Sequence, residues 1–419
     1  MVEPRVYTHV YYTLQYVNGA DRPIRGRITP GSMARQIKTN PFRFGALALD
    51  KAFADREEEL AELTRDIRNG QDVVILAPRR YGKSSLVWQT TQQLVSKRVL
   101  VAQVDLMTTP TKERLAEKLA ESIYENIASV LERVRDKALA PFRGLQVQPT
   151  VTVNPEDGSF SFSFSLGHRP QAIEATLERL LQLPAELAAS KRRRVALIMD
   201  EFQEIVRIDP ELPKLLRSVF QQQPEVAHLY LGSRRHIMER IFNDENEPFW
   251  RSAKAIELGA IESKPFATFL GRRFRQSGKK IDRAVLDRLL EHTHGHPYAT
   301  QELAYFLWEQ TTGAETASDR VLDAAIASVV RAEHAHFSLL WQDASVAQKL
   351  LLQALAREQP ARPFRGAYRQ AHGLPPATNV QRALRALVDR EIVARTNGEY
   401  RIAEPFLTEW LLANVAGVG

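Results

Sequence analysis

Short apolar runs alternate along this chain with longer stretches in which apolar residues return every three or four positions. The runs VVILA (73–77), VLVAQVDL (99–106), VALIM (195–199) and HLYLGS (228–233) are nearly continuous in apolar character and read as strands buried on both faces. Helical spacing fills the intervals, from about Ser84 to Val95, from about Lys112 to Ala138 and from about Gln171 to Ser190. An earlier helix runs through Leu60 and Leu63 and stops at Asn69-Gly70. Strand, helix and strand in succession predict an α/β fold with a parallel sheet. Between 147 and 166 the period drops to two on either side of Asp157-Gly158, which predicts a β-hairpin inserted into that rhythm. From about 261 to 335 the pattern is helical throughout, with HGHP at 294–297 as punctuation.

The C-terminal stretch is different in kind. A short apolar helix is expected from Ala347 to Leu355, and Thr378-Asn-Val-Gln381 has the form of a capping box opening a second helix. There Val380, Ala383, Leu384, Leu387 and Val388 share one face, leaving Gln381, Arg382 and Arg385 outside. IVARTNGEYRIA then reads as a hairpin turning at Asn397-Gly398. Helices followed by a small hairpin are the outline of a winged helix. If that module reads duplex DNA, Arg382 and Arg385 are the residues that would enter the groove. The apolar aromatics of YRIAEPFLTEW fit equally a module that packs on the rest of the chain or on another protein.

The chemistry concentrates in VVILAPRRYGKSSL, residues 73–86. Ala77 to Ser84 fits the phosphate-loop spacing, with alanine in place of the first glycine. In such a loop backbone N–H groups and a helix N-terminus face phosphate, a lysine reaches the β and γ oxygens, and a hydroxyl ligates magnesium. Lys83 and Ser84 are the residues for those roles, and Gly82 sits where backbone must approach phosphate most closely. The expected nucleotide-binding set is Ala77, Pro78, Arg79, Arg80, Tyr81, Gly82, Lys83, Ser84 and Ser85. Arg79 and Arg80 add charge that either steers phosphates or pairs with acids at the edge of the site.

Asp200-Glu201 ends the strand VALIM, and carboxylates at the carboxyl end of a parallel strand lie where ligands bind in open α/β sheets. Asp200 would hold magnesium and Glu201 would orient or deprotonate the attacking water; the plainer reading is an acidic cap after a core strand. Ser233 ends another core strand, where it could sense the γ-phosphate, and Arg251, after ENEPFW, is a candidate arginine finger. The three histidines of HTHGHP read as a helix junction rather than a zinc site.

Composition narrows the class. The 419 residues contain no cysteine, which excludes disulfides and thiolate metal sites and accords with a reducing cytoplasm. No apolar run approaches the ~20 residues of a membrane-spanning helix, so a cytoplasmic protein without membrane contact is expected. A net charge of +7 suits an acidic partner such as nucleic acid, or equally an arginine-rich surface without one. Residues 1–32 precede a second methionine, Met33, show no sustained periodicity, and are expected to be a leader outside the fold.

Taken in order, FADREEEL (53–60), APRRYGKSSL (77–86), VALIMDEFQEI (195–205), LGSRRHIMERIF (231–242), EPFWRSAKAIEL (247–258) and GHPYATQELA (295–304) resemble the archaeal/prokaryotic ATPase family, one of the STAND ATPases related to AAA+ initiator ATPases. The resemblance covers about residues 40 to 415. It implies an ASCE-type P-loop core at 33–260, a helical lid at 261–337 and a winged helix at 338–419. It also implies ATP and magnesium as ligands. By motif it carries the Walker A roles to Lys83 and Ser84, Walker B to Asp200 and Glu201, sensor 1 to Ser233 and the finger to Arg251. Asp55 and Arg56 would flank adenine, and Pro297 belongs to the G-x-P motif of the lid. Ala77 departs from the family's glycine, and Trp250 from the glycine before the arginine. The expected function is an ATP-binding and ATP-hydrolysing switch. The alternatives are a nucleotide-dependent DNA-binding or loading factor, a nonhydrolysing ATP-bound scaffold for a partner protein or a second copy, and an accessory ATPase of repair or mobile elements.

Overall fold

The computed structural model describes residues 39–46, 53–128, 139–142, 145, 147–153, 160–166, 173–313 and 315–415. The expected leader, the turn at Asp157-Gly158 and the end of the helix expected to reach Ala138 lie outside the described residues.

Five parallel strands form the central sheet in the order β2-β5-β6-β1-β7: β1 Val73–Leu76, β2 Leu100–Asp105, β5 Val195–Asp200, β6 Val226–Gly232 and β7 Lys254–Glu257. Four are the apolar runs of the sequence. The fifth, KAIE, pairs with β1 along one edge and buries only Ile256, so it has no apolar run to betray it. The side-chain alternation of β1 sends Val73 and Ile75 into one layer with Leu63, Ile67 and Leu86, from helices α1 (Glu57–Arg68) and α2 (Lys83–Ser96). Val74 and Leu76 enter the opposite layer, where α3 (Lys112–Ile123), α4 (Ile173–Lys191) and α6 (Leu212–Phe220) cover the sheet, α5 (Ile205–Ile208) intervening in the chain. Burial on both faces explains why β1, β5 and β6 are so uniformly apolar; β2, expected to be buried on both faces, is an edge strand that buries alternate residues and leaves Gln103 exposed. β3 (Val147–Val153) and β4 (Phe160–Leu166) pair antiparallel as the expected hairpin, with Phe164 packed on Tyr124 and Phe142.

After the sheet come α7 (Arg235–Asn243), β7, and then α8 (Ser263–Gln276), α9 (Arg283–Thr293), α10 (Pro297–Gln310), α11 (Asp319–Ala332) and α12 (His334–Asp343). The expectation of helix throughout this stretch needs one correction: β8 (Lys280–Ile281) and β9 (Thr316–Ala317) pair in parallel, too short to show a period in sequence. Residues near 40 pack here, with the Phe42 ring 5.1 Å from Phe274 and Asn40 Nδ2 donating to Tyr305 O at 3.1 Å.

The C-terminal winged helix consists of α13 (Val346–Arg357), α14 (Gly366–Ala371), α15 (Ala377–Asp389), the hairpin β10 (Val393–Thr396) and β11 (Glu399–Ile402), and α16 (Pro405–Asn414). The hairpin turns at Asn397 and Gly398, both at positive φ. Val380, Ala383, Leu384 and Leu387 are buried while Arg382 and Arg385 are exposed, as their spacing predicts. The capping box expected at Thr378 and Gln381 does not form, because Pro376 is the cap residue and α15 already includes Thr378. A capping box does form at Ser345 and Gln348, opening α13. One continuous apolar cluster joins the lid to the winged helix, from Phe274, Leu289 and Leu303 to Leu384, Phe406 and Trp410. Among the described residues no helix is long and apolar enough to cross a membrane.

Candidate functional site

The sheet order decides what meets at its carboxyl edge. β6 lies between β1 and β5, so the loop after β1, Ser233 after β6 and Asp200 at the end of β5 stand side by side. Asp105 ends β2 in register with Asp200 and adds a third acid. Sequence reading passed over Asp105; its signal was its place at the end of an apolar run, where Asp200 also lies.

The loop from Ala77 to Gly82 leaves a fully buried strand and enters α2 at Lys83. Gly82 has φ 86°, a region that a side chain would strain, which accounts for glycine there; Ala77 is wholly buried and in ordinary backbone, which accounts for a methyl group in the first position. Arg80 also takes positive φ. Lys83 is only 8% exposed, and its ammonium donates to Ala77 O at 2.9 Å and Pro78 O at 3.1 Å. Burial lowers its pKa, opposed first by Glu201 and then by Glu391 and Asp200. Ser84 is exposed one residue into the helix, while Ser85 is buried.

Glu201 turns out of β5 at φ 51°, a left-handed conformation that costs a non-glycine residue about 1 kcal/mol. Its carboxylate accepts from Ser233 Oγ at 2.7 Å and from Gln203 Nε2. Asp200 Oδ1 accepts the Glu201 N–H at 2.9 Å. Burial pushes the Asp200 carboxyl up to about 6, helped by Glu201 and Asp105 and opposed by that hydrogen bond and Lys83. A buried cation thus faces two carboxylates, with a hydroxyl tied to one of them.

The Arg56 side chain is turned onto backbone carbonyl groups beside the loop. Its guanidinium is buried and donates to Gly259 O at 2.6 Å, Tyr81 O at 3.3 Å and Glu59 Oε1 at 2.9 Å, bracing the loop against the segment that follows β7. Asp55 precedes it, half-buried, with its pKa raised chiefly by burial. HTHGHP forms the junction between α9 and α10. A Cβ on Gly295 would meet Ile261 O at 2.2 Å, so only glycine fits. His296 caps α10 by accepting the Ala299 N–H, and burial, with Arg80 second, pushes its pKa down to about 4. Its ring lies 4.6 Å from that of Tyr81, and Pro297 is the first residue of α10.

The winged helix reaches the same loop. The Arg79 N–H donates to Glu391 Oε2 at 3.1 Å, although the two residues are 312 apart in sequence. The Arg80 guanidinium lies 4.3 Å from the Tyr298 ring centre and acts on Glu302 of the lid and Glu404 of the winged helix. Thus the charge of Arg80 is turned toward acids at the edge of the site. Burial raises Glu302 to about 8, with Glu333 and Glu404 adding to the rise, and raises Glu404 to about 7. A carboxyl whose folded pKa lies above its unfolded value supports the fold below the unfolded value and loses that support as pH rises. For Glu302 the window runs from about 4.5 to about 8. Glu302→Gln therefore gains stability relative to the parent across that window, on the order of 1–3 kcal/mol at its upper end. Melting curves below and above the window check this, and a difference independent of pH contradicts it.

Arg251 is not brought to the loop. It lies three residues before Lys254, which pairs with Val73 at the amino end of β1, and its guanidinium rests 5.3 Å from the exposed Trp250 ring.

A parallel sheet with a glycine-lysine loop after one strand, acids after another and Ser233 after the strand between them is the arrangement of a P-loop ATPase domain. Residues 53–303 match the family described as ATPase domain predominantly from Archaea, and the chain belongs to that family. Residues 335–413 match a family described as probable winged helix domain. Among solved structures the chain is similar to a Walker-type ATPase of Pyrococcus abyssi, at 17% identity and a TM-score of 0.61, over 89% of this chain and 99% of that one. It is also similar to the ORC2 protein of Aeropyrum pernix in ADPNP-ADP complexes, at 15% identity and a TM-score of 0.52, over 90% and 97% of the two chains. At such identities the likeness is one of fold. No curated protein matches the chain.

Proposed function

We propose that this protein is a slow, magnesium-dependent ATPase of the STAND type, a switch whose nucleotide state is coupled to its winged helix. The observation that carries the reading is the contact of Glu391 with the phosphate loop, within a fold where lid and winged helix share one apolar core. The loop N–H groups and Lys83 bind the phosphates, and Tyr81 and His296 link the loop to the lid. The Ser84 hydroxyl and Asp200 suit magnesium, which when bound would offset negative charge on the phosphate oxygens. Glu201, held by Ser233 and Gln203, orients the attacking water and accepts its proton. Ser233 couples that carboxylate to the γ-phosphate position. Arg251, near the amino end of β1, does not reach this site, and as an arginine finger it would act only on the site of a second copy.

The exposed pair Arg382 and Arg385 on α15 favours duplex DNA as the partner of the winged helix, because among the described residues both lie exposed on a helix whose opposite face is core. ATP turnover and duplex binding, measured together at low and high salt, test this. Binding is expected to weaken steeply with salt, and reversing both charges to reduce affinity by about tenfold or more. Salt-insensitive binding, or none, would leave a protein partner as the reading.

A further inference from the structure

Glu391 stands in an unexpected place. It follows the last turn of α15, where its N–H donates to Val388 O and the next N–H, from Ile392, donates to Leu387 O, both at 2.9 Å. Those two bonds make a helix end that calls for a left-handed residue, and Glu391 supplies it at φ 59°, where glycine is the usual choice. A side chain held in a costly backbone conformation invites a functional explanation. Its carboxylate sits on the Arg79 N–H, within the loop whose N–H groups are read as the phosphate cradle. It also adds to the negative field at the Lys83 ammonium. Glu404, from the same module, faces Arg80 next in the loop. A carboxylate and a phosphate present the same kind of acceptor oxygen to an N–H, and two anions cannot share one donor set without strong repulsion.

We propose that Glu391 occupies the anion cradle of the phosphate loop in place of a nucleotide phosphate, so that ATP and the docked winged helix compete for the loop. The proposal rests on the reading of residues 77–85 as a nucleotide site. Docking lowers ATP affinity, and bound triphosphate expels the carboxylate and loosens the winged helix from the loop. Adenosine, which carries no phosphate, does not compete.

Two variants separate charge from fold. Glu391→Gln keeps size and one acceptor oxygen but removes the charge, while Glu391→Gly removes the side chain and suits the positive φ. Equilibrium titrations with ATP and with adenosine, on the full chain and on both variants, with Lys83→Ala alongside, give the test. The expected result is ATP affinity raised about tenfold in both variants, with adenosine affinity unchanged. If neither variant tightens ATP while Lys83→Ala still loses it, Glu391 is a packing contact and the competition is refuted. If both ligands tighten equally, the effect is a general opening of the site, which also refutes it. If Lys83→Ala binds ATP as the parent does, the nucleotide reading of the loop fails, and the competition fails with it.

Discussion

Lys83→Ala lowers ATP affinity at least a hundredfold, about 3 kcal/mol, while the protein remains folded. The ammonium is buried, and its hydrogen bonds go to two carbonyl groups of its own loop rather than to a carboxylate. Holding a desolvated cation in that position is unfavourable by itself, as its lowered pKa shows. The arrangement gains when an anion enters the loop, because a charge-assisted bond in a water-poor site is worth roughly twice a neutral one. Removing the lysine removes that attraction and leaves the backbone N–H groups. The fold loses on the order of 1–3 kcal/mol, since the buried Ala77 carbonyl is left without its donor, whereas the Pro78 carbonyl is only partly buried. Titration with ATP and a melting curve on the same sample check both halves of this expectation.

Glu201→Gln is expected to bind ATP nearly as the parent does and to hydrolyse it at least about a hundredfold more slowly. Glutamine keeps an oxygen able to accept from Ser233 and an amide of the same shape, so the turn at positive φ and its hydrogen bonds survive. The proton acceptor is lost. In this reading Asp200 is engaged with magnesium and does not take its place. Single-turnover hydrolysis at saturating ATP reads the chemical step apart from binding, and an unchanged rate would remove Glu201 from that role.

How much of this was legible in sequence follows from the range of each interaction. β1, β5 and β6 declare themselves, since burial on both faces forces continuous apolar runs, while β2, at an edge, shows itself through the alternate residues Leu100, Ala102 and Val104 that it buries. Asp200 and Ser233 could be placed because parallel strands bring their carboxyl ends to one edge whatever the connections between them. The winged helix was visible in the period of α15 and the Asn397-Gly398 turn, both local signals. β7 escaped because an edge strand of four residues with one buried side chain has no period. The inward turn of Arg56 depends on Gly259, 203 residues away, and the Glu391 contact on a loop 312 residues away; neither leaves a trace in local sequence. The question raised by Arg79 and Arg80 resolves in the same way. Arg79 offers its backbone N–H to one acid of the winged helix, and Arg80 turns its side chain to others, so only the tertiary fold distinguishes them.

Phosphate release from ATP in the presence of magnesium, measured for the parent chain beside Lys83→Ala and Glu201→Gln, tests the central claim most directly. A parent rate clearly above both variants, with Glu201→Gln still binding ATP and Lys83→Ala not, is the predicted result. Equal release from all three chains would contradict the assignment of hydrolysis to this site.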